Sequence, residues 1–308
     1  MKLGFGPITW NNEDLQLELG PPIDYATVLD EVAASGYLAT ELGDGFPRDP
    51  AVLRRALSER GLSLPSAWCG LGFFQAQPEA DIEHTRRLCG LLAAVGASFV
   101  NLADEGTPER KALACRADSP EAPRLSPSEW EQFAERVCQA AEVAREHGVQ
   151  ATFHLHAGTW VETRDDLEEL LSRAPAPLVK LCWDVGHAIC GGVDPLAVVR
   201  DHPERIAYIH LKDVDGEVLD GVRRDGVDFS DAVRRRIFTE LGRGCLDVAG
   251  LLKALRDIGY DGWLTVEAFG NFLPNLAAAT KIWRPLFDSE EQLATDAYAF
   301  LTAKIAGR

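Results

Sequence analysis

The sequence predicts an α/β protein with a single domain, a (β/α)8 or TIM barrel over residues 1–308. Apolar runs of strand length alternate with segments of helical periodicity along the whole chain, and eight strand-helix pairs can be counted. Strict alternation favours parallel strands, and eight is the number that closes into a barrel. The length of 308 residues, 46% of them hydrophobic, suits one barrel with one core.

Each predicted strand is followed by a predicted helix. The strands cover residues 2–8, 37–42, 62–68, 98–103, 149–155, 178–184, 205–211 and 262–269. The helices cover residues 25–36, 50–61, 81–96, 127–148, 163–174, 194–202, 247–259 and 291–305. Glycines occupy the expected C′ position after five of them: Gly36, Gly61, Gly96, Gly148 and Gly259. Thr163 and Asp166 have the spacing of a capping box.

A doubly wound open sheet is the alternative arrangement of such a chain. Its dinucleotide-binding members carry G-x-G-x-x-G at a strand-to-helix turn, and no predicted turn here has that motif. We therefore expect a barrel with no nucleotide cofactor.

Two connections are much longer than the usual two to six residues, about 104–125 and about 212–246. Both follow the carboxyl ends of strands, where barrel enzymes build their sites, so both are candidate lids. The alternative is a disordered insertion. The second connection contains the helix-like run "SDAVRRRIF", and it is a lid, a dimer arm that makes the protein a homo-oligomer, or both.

Composition limits the partners of this chain. It has 31 Lys and Arg against 48 Asp and Glu, a formal net charge of −17. Binding to nucleic acid or an anionic membrane requires a basic face, so the charge argues against both. The sequence "MKLGFGPITW" lacks the features of a signal peptide, and no apolar stretch reaches the ~18 residues of a membrane span. Seven scattered cysteines without C-x-x-C indicate reduced thiols. We expect a soluble cytoplasmic protein.

Ionisable residues stand at the ends of four consecutive predicted strands: His154, Asp184, His210 and Glu267. Each alone could be a hydrogen-bonded loop anchor, but the four together predict a metal site. Mixed nitrogen and carboxylate ligands favour a divalent transition metal, Mn, Co, Fe or Zn, over Ca or Mg.

Three of these strand ends resemble a known superfamily. "CWDVGHA", "YIHLKDV" and "LTVEAFG" are similar to the motifs of xylose-isomerase-like barrels, which include sugar isomerases, epimerases, dehydratases and apurinic endonucleases. The resemblance implies that Asp184, His210 and Glu267 bind a metal, with His154 where the family usually has a Glu.

Within this superfamily, residues 149–270 most resemble inosose dehydratases of inositol catabolism. That resemblance implies a lyase that uses a divalent metal to remove water from a cyclic keto-polyol. His154 replaces a carboxylate that ketose epimerases use, which argues against epimerisation. Residues 276–301, by contrast, resemble the tails of ketose epimerases, so a sugar or ketose isomerase or epimerase is the alternative. A binding barrel with a vestigial site is a third hypothesis, and an apurinic endonuclease is disfavoured by the acidic charge.

Four further residues are candidate catalytic groups. His156 shares the strand face of His154 and is a candidate acid or base, or a structural hydrogen-bonding residue. Glu162 either reaches the metal or is a solvated first-turn carboxylate. The resemblance assigns His187 to substrate contact. Lys212 binds substrate oxygens, acts as a base, or pairs with Asp213 or another acidic neighbour.

The substrate of this site is expected to be a small polyol or sugar. Aromatic and acidic residues near the ends of the first four strands are the candidate substrate-binding residues: Trp10, Glu41, Trp68 and Asp104. A Trp at a barrel mouth can carry the apolar face of a sugar ring, although Trp at such positions is also common in the core.

Overall fold

The computed structural model describes residues 1–12, 21–72, 78–267 and 290–306. Its strands are β1 (Lys2–Phe5), β2 (Ala39–Thr40), β3 (Trp68–Leu71), β4 (Phe99–Asp104), β5 (Gln150–His154), β6 (Val179–Asp184), β7 (Ile206–Leu211), β8 (Asp213–Val214), β9 (Phe238–Thr239) and β10 (Trp263–Val266). Eight of them form one parallel sheet in the order β2-β1-β10-β7-β6-β5-β4-β3. Two parallel bridges, Ala39 with Ser63 and Leu42 with Ala67, join its two edges. The sheet therefore curls into the predicted barrel.

Helices surround this sheet. They are α1 (Tyr25–Ala34), α2 (Pro50–Ser58), α3 (Pro78–Val95), α4 (Pro108–Lys111), α5 (Pro127–Glu146), α6 (Arg164–Arg173), α7 (Val185–Cys190), α8 (Pro195–Asp201), α9 (Gly216–Asp225), α10 (Phe229–Arg234), α11 (Val248–Asp257) and α12 (Glu290–Ile305). Each of the eight predicted helices corresponds to one of these with ends within a few residues. Among the described residues, no helix is long and apolar enough to cross a bilayer.

The helix boundaries have the predicted chemistry. At the start of α6, Thr163 Oγ1 accepts a hydrogen bond from the Asp166 amide, and the Asp166 carboxylate accepts one from the Thr163 amide, so the capping box is confirmed. The five glycines predicted at C′ positions all have φ between 67° and 92°. This left-handed conformation costs a residue with a Cβ more than it costs glycine.

The third strand differs from the prediction. Residues 62–67 run beside β2 and make only isolated bridges, whereas the regular strand β3 begins at Trp68. Pro65 explains the shift, because it has no amide hydrogen to donate to a ladder. The last two residues of the predicted eighth strand, 268–269, lie outside the described residues.

The two long connections both contain ordered elements. The first, after β4, contains the short helix α4. The second contains α9, α10 and the antiparallel pair β8-β9, which form a small sheet apart from the barrel. Its buried side chains, among them Leu219, Val222 and Phe229, form their own apolar cluster. This apolar cluster of the second connection covers one side of the barrel mouth.

Candidate metal centre and active-site cavity

The four residues predicted as metal ligands lie together at the carboxyl end of the barrel. They come from β5, β6, β7 and the residue after β10, which are neighbours in the sheet. One potential ligand atom from each of His154, Asp184, His210 and Glu267 lies within 4.8 Å of the others. His154 Nε2 is 3.1 Å from His210 Nδ1, Asp184 Oδ2 is 3.4 Å from His154 Nε2, and Glu267 Oε2 is 3.5 Å from His210 Nδ1.

These separations fit a divalent ion. Ligand atoms held about 2.1 Å from one ion lie about 3.0 to 3.4 Å apart in octahedral or tetrahedral geometry. Asp184 Oδ2 is fully buried and has no hydrogen bond of standard geometry within the described part of the chain, but it forms an ion pair with the Lys212 ammonium at 3.2 Å. A metal ion bound among the four side chains would give this buried charge a ligand bond as well. Burial opposes ionisation of Asp184 and Glu267, but the neighbouring Lys212 ammonium lowers the pKa of both carboxyls, that of Glu267 to about 2. The cluster therefore offers two carboxylates and two imidazoles.

The surrounding chain orients these side chains. Asp184 caps α7, and its Oδ1 accepts hydrogen bonds from the amides of Gly186 and His187, which leaves Oδ2 to face the cluster. Glu41 Oε1 lies 3.0 Å from His210 Nε2. A carboxylate at Nε2 places the ring proton there, so the lone pair of His210 Nδ1 faces the other ligands.

Glu41 is one of the four residues for which the sequence predicts contact with substrate. Its Oε1 also accepts hydrogen bonds from Ser66 Oγ at 2.5 Å and Asn101 Nδ2 at 3.1 Å. The residue contributes to the cavity wall, but three donors already surround this oxygen. Its geometry supports orientation of His210 more directly than contact with substrate.

A cavity of about 500 Å³ lies above the cluster. This volume is within the range of small-molecule sites. Eight of the twelve candidate residues line it: Glu41, Trp68, Asp104, His154, His156, His187, Lys212 and Glu267. The structure therefore brings most of the candidates together.

His156 and His187 lie beside the cluster, with ring centroids 3.8 Å apart. His156 Nδ1 is 2.8 Å from the Ala157 carbonyl oxygen, so Nδ1 carries the proton and Nε2 keeps a lone pair. Burial lowers the pKa of His156 to about 3, and the nearby His154 and Lys212 act in the same direction. His156 is therefore neutral at physiological pH, with an unprotonated Nε2.

Lys212 lies between the histidines and the carboxylates. Its Nζ is 2.5 Å from Glu267 Oε2, 3.2 Å from Asp184 Oδ2 and 2.9 Å from His187 Nε2. The sequence left Asp213 open as a salt-bridge partner of Lys212. Its carboxylate instead accepts hydrogen bonds from backbone amides of residues 242–246. Lys212 therefore pairs with two of the candidate ligands.

Glu162 does not lie in this cavity. Its side chain is fully buried, with Oε1 accepting from the Cys115 amide at 2.6 Å and Oε2 from the Gly158 amide at 2.7 Å. Arg110, also buried, lies 3.9 Å away. The Glu162 side chain therefore links the loop that contains Cys115 to the loop that contains Gly158, because amides of both loops donate hydrogen bonds to its oxygens. Neither predicted alternative, a group over the metal or a solvated carboxylate, describes it.

The remaining substrate candidates differ in position. Trp68 is 38% exposed and its ring lies 5.0 Å from that of His154, as expected of a platform at the barrel mouth. Asp104 is buried in the cavity wall, and burial raises its pKa to about 6. Trp10 instead packs against the Phe5 ring in the core and donates its indole N–H to Glu31. Its position gives no support to a substrate contact, because its ring is buried, its N–H is donated to Glu31, and it is not among the described residues that line the cavity.

Sequence reasoning missed the cavity residues that the long connections supply. Lys111 comes from the first connection, and Asp228, Phe229 and Ser230 come from the second. The Phe229 ring lies 4.9 Å from that of His156. Loop length indicated the regions, but no pattern distinguished these side chains from others in the same loops.

The model of the xylose isomerase-like TIM barrel family matches residues 29–299. The chain belongs to this family. Among its curated relatives is an inosose dehydratase of Geobacillus kaustophilus, 35% identical over 277 residues that cover 87% of each chain. Similar solved structures include the probable 3-DHS dehydratase AsbF of Bacillus anthracis, with a TM-score of 0.72, 17% identity and coverage of 98% and 99%. An L-ribulose 3-epimerase has a TM-score of 0.70 at 20% identity, covering 100% and 95%. These two similarities show the shared barrel fold.

Proposed function

We propose that this protein is a divalent-metal-dependent dehydratase acting on a cyclic keto-polyol such as an inosose. The observation that carries the proposal is the 35% identity to an inosose dehydratase over 87% of the chain. A cluster of four candidate metal ligands, beside ionisable side chains in a cavity of about 500 Å³, agrees with this proposal. The chain is thus an enzyme of the lyase or isomerase type.

Four residues would hold the metal: His154, Asp184, His210 and Glu267. A divalent ion bound there would supply Lewis acidity, which stabilises the negative charge that develops on the ketone oxygen when the neighbouring carbon loses its proton. Two imidazoles among the ligands favour Mn, Co, Fe or Zn. The chemistry requires no nucleotide.

The side chains around the cluster supply proton transfer. Dehydration removes a proton from the carbon next to the ketone and expels the hydroxyl on the following carbon, so that a carbon-carbon double bond forms and water leaves. We assign the first transfer to the free Nε2 of His156. We assign protonation of the departing hydroxyl to the Lys212 ammonium, which lies in the cavity wall. Each transfer contributes about 10²- to 10⁴-fold to the rate. His187 holds Lys212 and contacts the same cavity.

The charge of the cavity wall indicates the substrate class. Six carboxylates line it, against the two lysines Lys111 and Lys212, and the acidic members are Glu41, Asp44, Asp104, Glu105, Asp228 and Glu267. A phosphorylated substrate would meet net repulsion in such a wall. The hydroxyl groups of an uncharged polyol can instead donate hydrogen bonds to these carboxylates.

A sugar or ketose isomerase or epimerase is the second candidate, and it is favoured by the epimerase fold neighbour. Against it stands His154, because an imidazole that binds the metal cannot be the second carboxylate base of an epimerase. The two candidates differ in their products, since a dehydration changes the mass and an epimerisation does not.

The deciding experiment incubates the metal-loaded protein with inososes, ketohexoses and dehydroshikimate, followed by mass spectrometry. We expect an inosose product lighter by one water molecule. Ketohexose conversion at constant mass would replace the proposal with the epimerase, and no conversion with any of the three would reject both. Metal analysis of the purified protein accompanies the assay.

The acidic net charge and the small cavity support a small-molecule partner and no nucleic-acid or membrane partner. A cytoplasmic location and a homo-oligomer formed through residues 212–246 stay predictions.

A further inference from the structure

A thiol lies beneath the four candidate metal ligands, on the side away from the cavity. Cys182 precedes Asp184 by two residues on β6, so both side chains project from the same face of the strand into the barrel. It is paired in register with His154 on β5 and is fully buried. One nitrogen of His154, one nitrogen of His210 and the Cys182 sulfur all lie within 4.8 Å of one another.

This donor set and the four-residue cluster share their two imidazoles. The cluster adds Asp184 and Glu267, whereas the second set adds Cys182. The sulfur does not form a set with either carboxylate among the described residues, so a single ion does not engage all five side chains. The two sets are alternative positions for one ion.

The two positions differ in access to the cavity. His154 and Glu267 contribute to its wall, but Cys182 is not among the described residues that line it. An ion drawn towards the sulfur moves away from the carboxylates and deeper into the barrel. It would also bind His154 and His210, which an ion in the four-residue cluster needs as ligands.

We propose that Cys182, His154 and His210 form a second metal position that binds thiophilic divalent ions such as Cd²⁺ and excludes the ion of the four-residue cluster. Soft thiolate ligands select such ions, while carboxylates favour harder ones. In a zinc site, metal-sulfur bonds of about 2.3 Å and metal-nitrogen bonds of about 2.0 Å place the ligand atoms about 3.5 Å apart. The larger Cd²⁺ spaces them further apart, and the three ligand atoms here lie within 4.8 Å of one another. On binding, the Cys182 thiol releases its proton to solvent and a sulfur-metal bond forms.

The test uses the full chain, freed of metal by chelation and titrated with Cd²⁺. We expect a near-ultraviolet sulfur-to-cadmium absorption band that Cys182→Ser and Cys182→Ala both lose, with Cd²⁺ affinity falling about tenfold or more. Cys69→Ser is the matched control, because Cys69 is equally buried on β3 but its sulfur contacts Thr85. It should keep the Cys182-dependent band.

A second measurement needs no variant. Cd²⁺ added to the Mn²⁺-loaded wild type should release free Mn²⁺, which electron paramagnetic resonance detects, and X-ray absorption should show a sulfur neighbour of the bound cadmium. A cadmium shell without sulfur, or Cd²⁺ and Mn²⁺ bound together, would overturn the proposal. The position rests on the imidazoles and not on the proposed reaction, so dehydration assays with Mn²⁺ alone test that reaction separately.

Discussion

The buried carboxylate of Glu162 makes the stability of the protein depend on pH. Both its oxygens accept amide hydrogen bonds, from Gly158 and Cys115, but burial dominates and raises its pKa from 4.5 to about 7. The folded state therefore binds this proton more tightly than the unfolded chain does. The free energy of unfolding loses this contribution as pH rises from about 4.5 to about 7.

The replacement Glu162→Gln removes this titration. A shift of about 2.5 units corresponds to about 3 kcal/mol of differential stability. The amide also turns a donor towards one of the two backbone N–H groups, which costs about 1 to 3 kcal/mol at every pH. Relative to wild type, the variant should therefore be less stable at acidic pH and gain up to about 3 kcal/mol by pH 8.

Urea unfolding of both proteins across this pH range measures the difference. The change with pH carries the test, because the lost hydrogen bond contributes a constant offset. Asp166→Asn is the control, since Asp166 lies in the same Arg110 network but its side chain is 11% exposed, against 0% for Glu162. A wild-type minus variant difference that stays flat between about pH 4.5 and 8 would refute the argument that burial dominates at Glu162.

Three further predictions concern the site. Asp184→Ala and Glu267→Ala should each abolish both bound metal and turnover, and full metal occupancy in either purified variant would contradict their assignment as ligands. His156→Gln should retain the metal but lower kcat by about 10²- to 10⁴-fold, and unchanged kcat would remove His156 from the mechanism. Glu41→Gln should weaken metal affinity by about 10- to 100-fold, because the His210 ring loses its orienting carboxylate, and a calorimetric titration that shows wild-type affinity would argue against this role.

The grouping of the four candidate metal ligands could be predicted because it depends on one regular rule. The carboxyl ends of parallel strands meet at the same edge of a sheet, and alternate residues of a strand share a face. His154, Asp184, His210 and Glu267 obey that rule and lie together. Trp10 and Glu162 stand in irregular segments, where spacing along the chain does not determine where a side chain points.

The amino-acid sequence by itself determined the alternation of strands and helices, most helix boundaries and the strands that end in ionisable residues. These depend on apolar periodicity, capping and glycine, which act over a few neighbouring residues. Only the tertiary structure decided that Glu41 lies beside His210 across 169 residues of chain, that Glu162 joins two loops, and that Cys182 lies beneath the candidate ligands. Such contacts depend on how the closed barrel brings distant segments together, which local patterns do not specify.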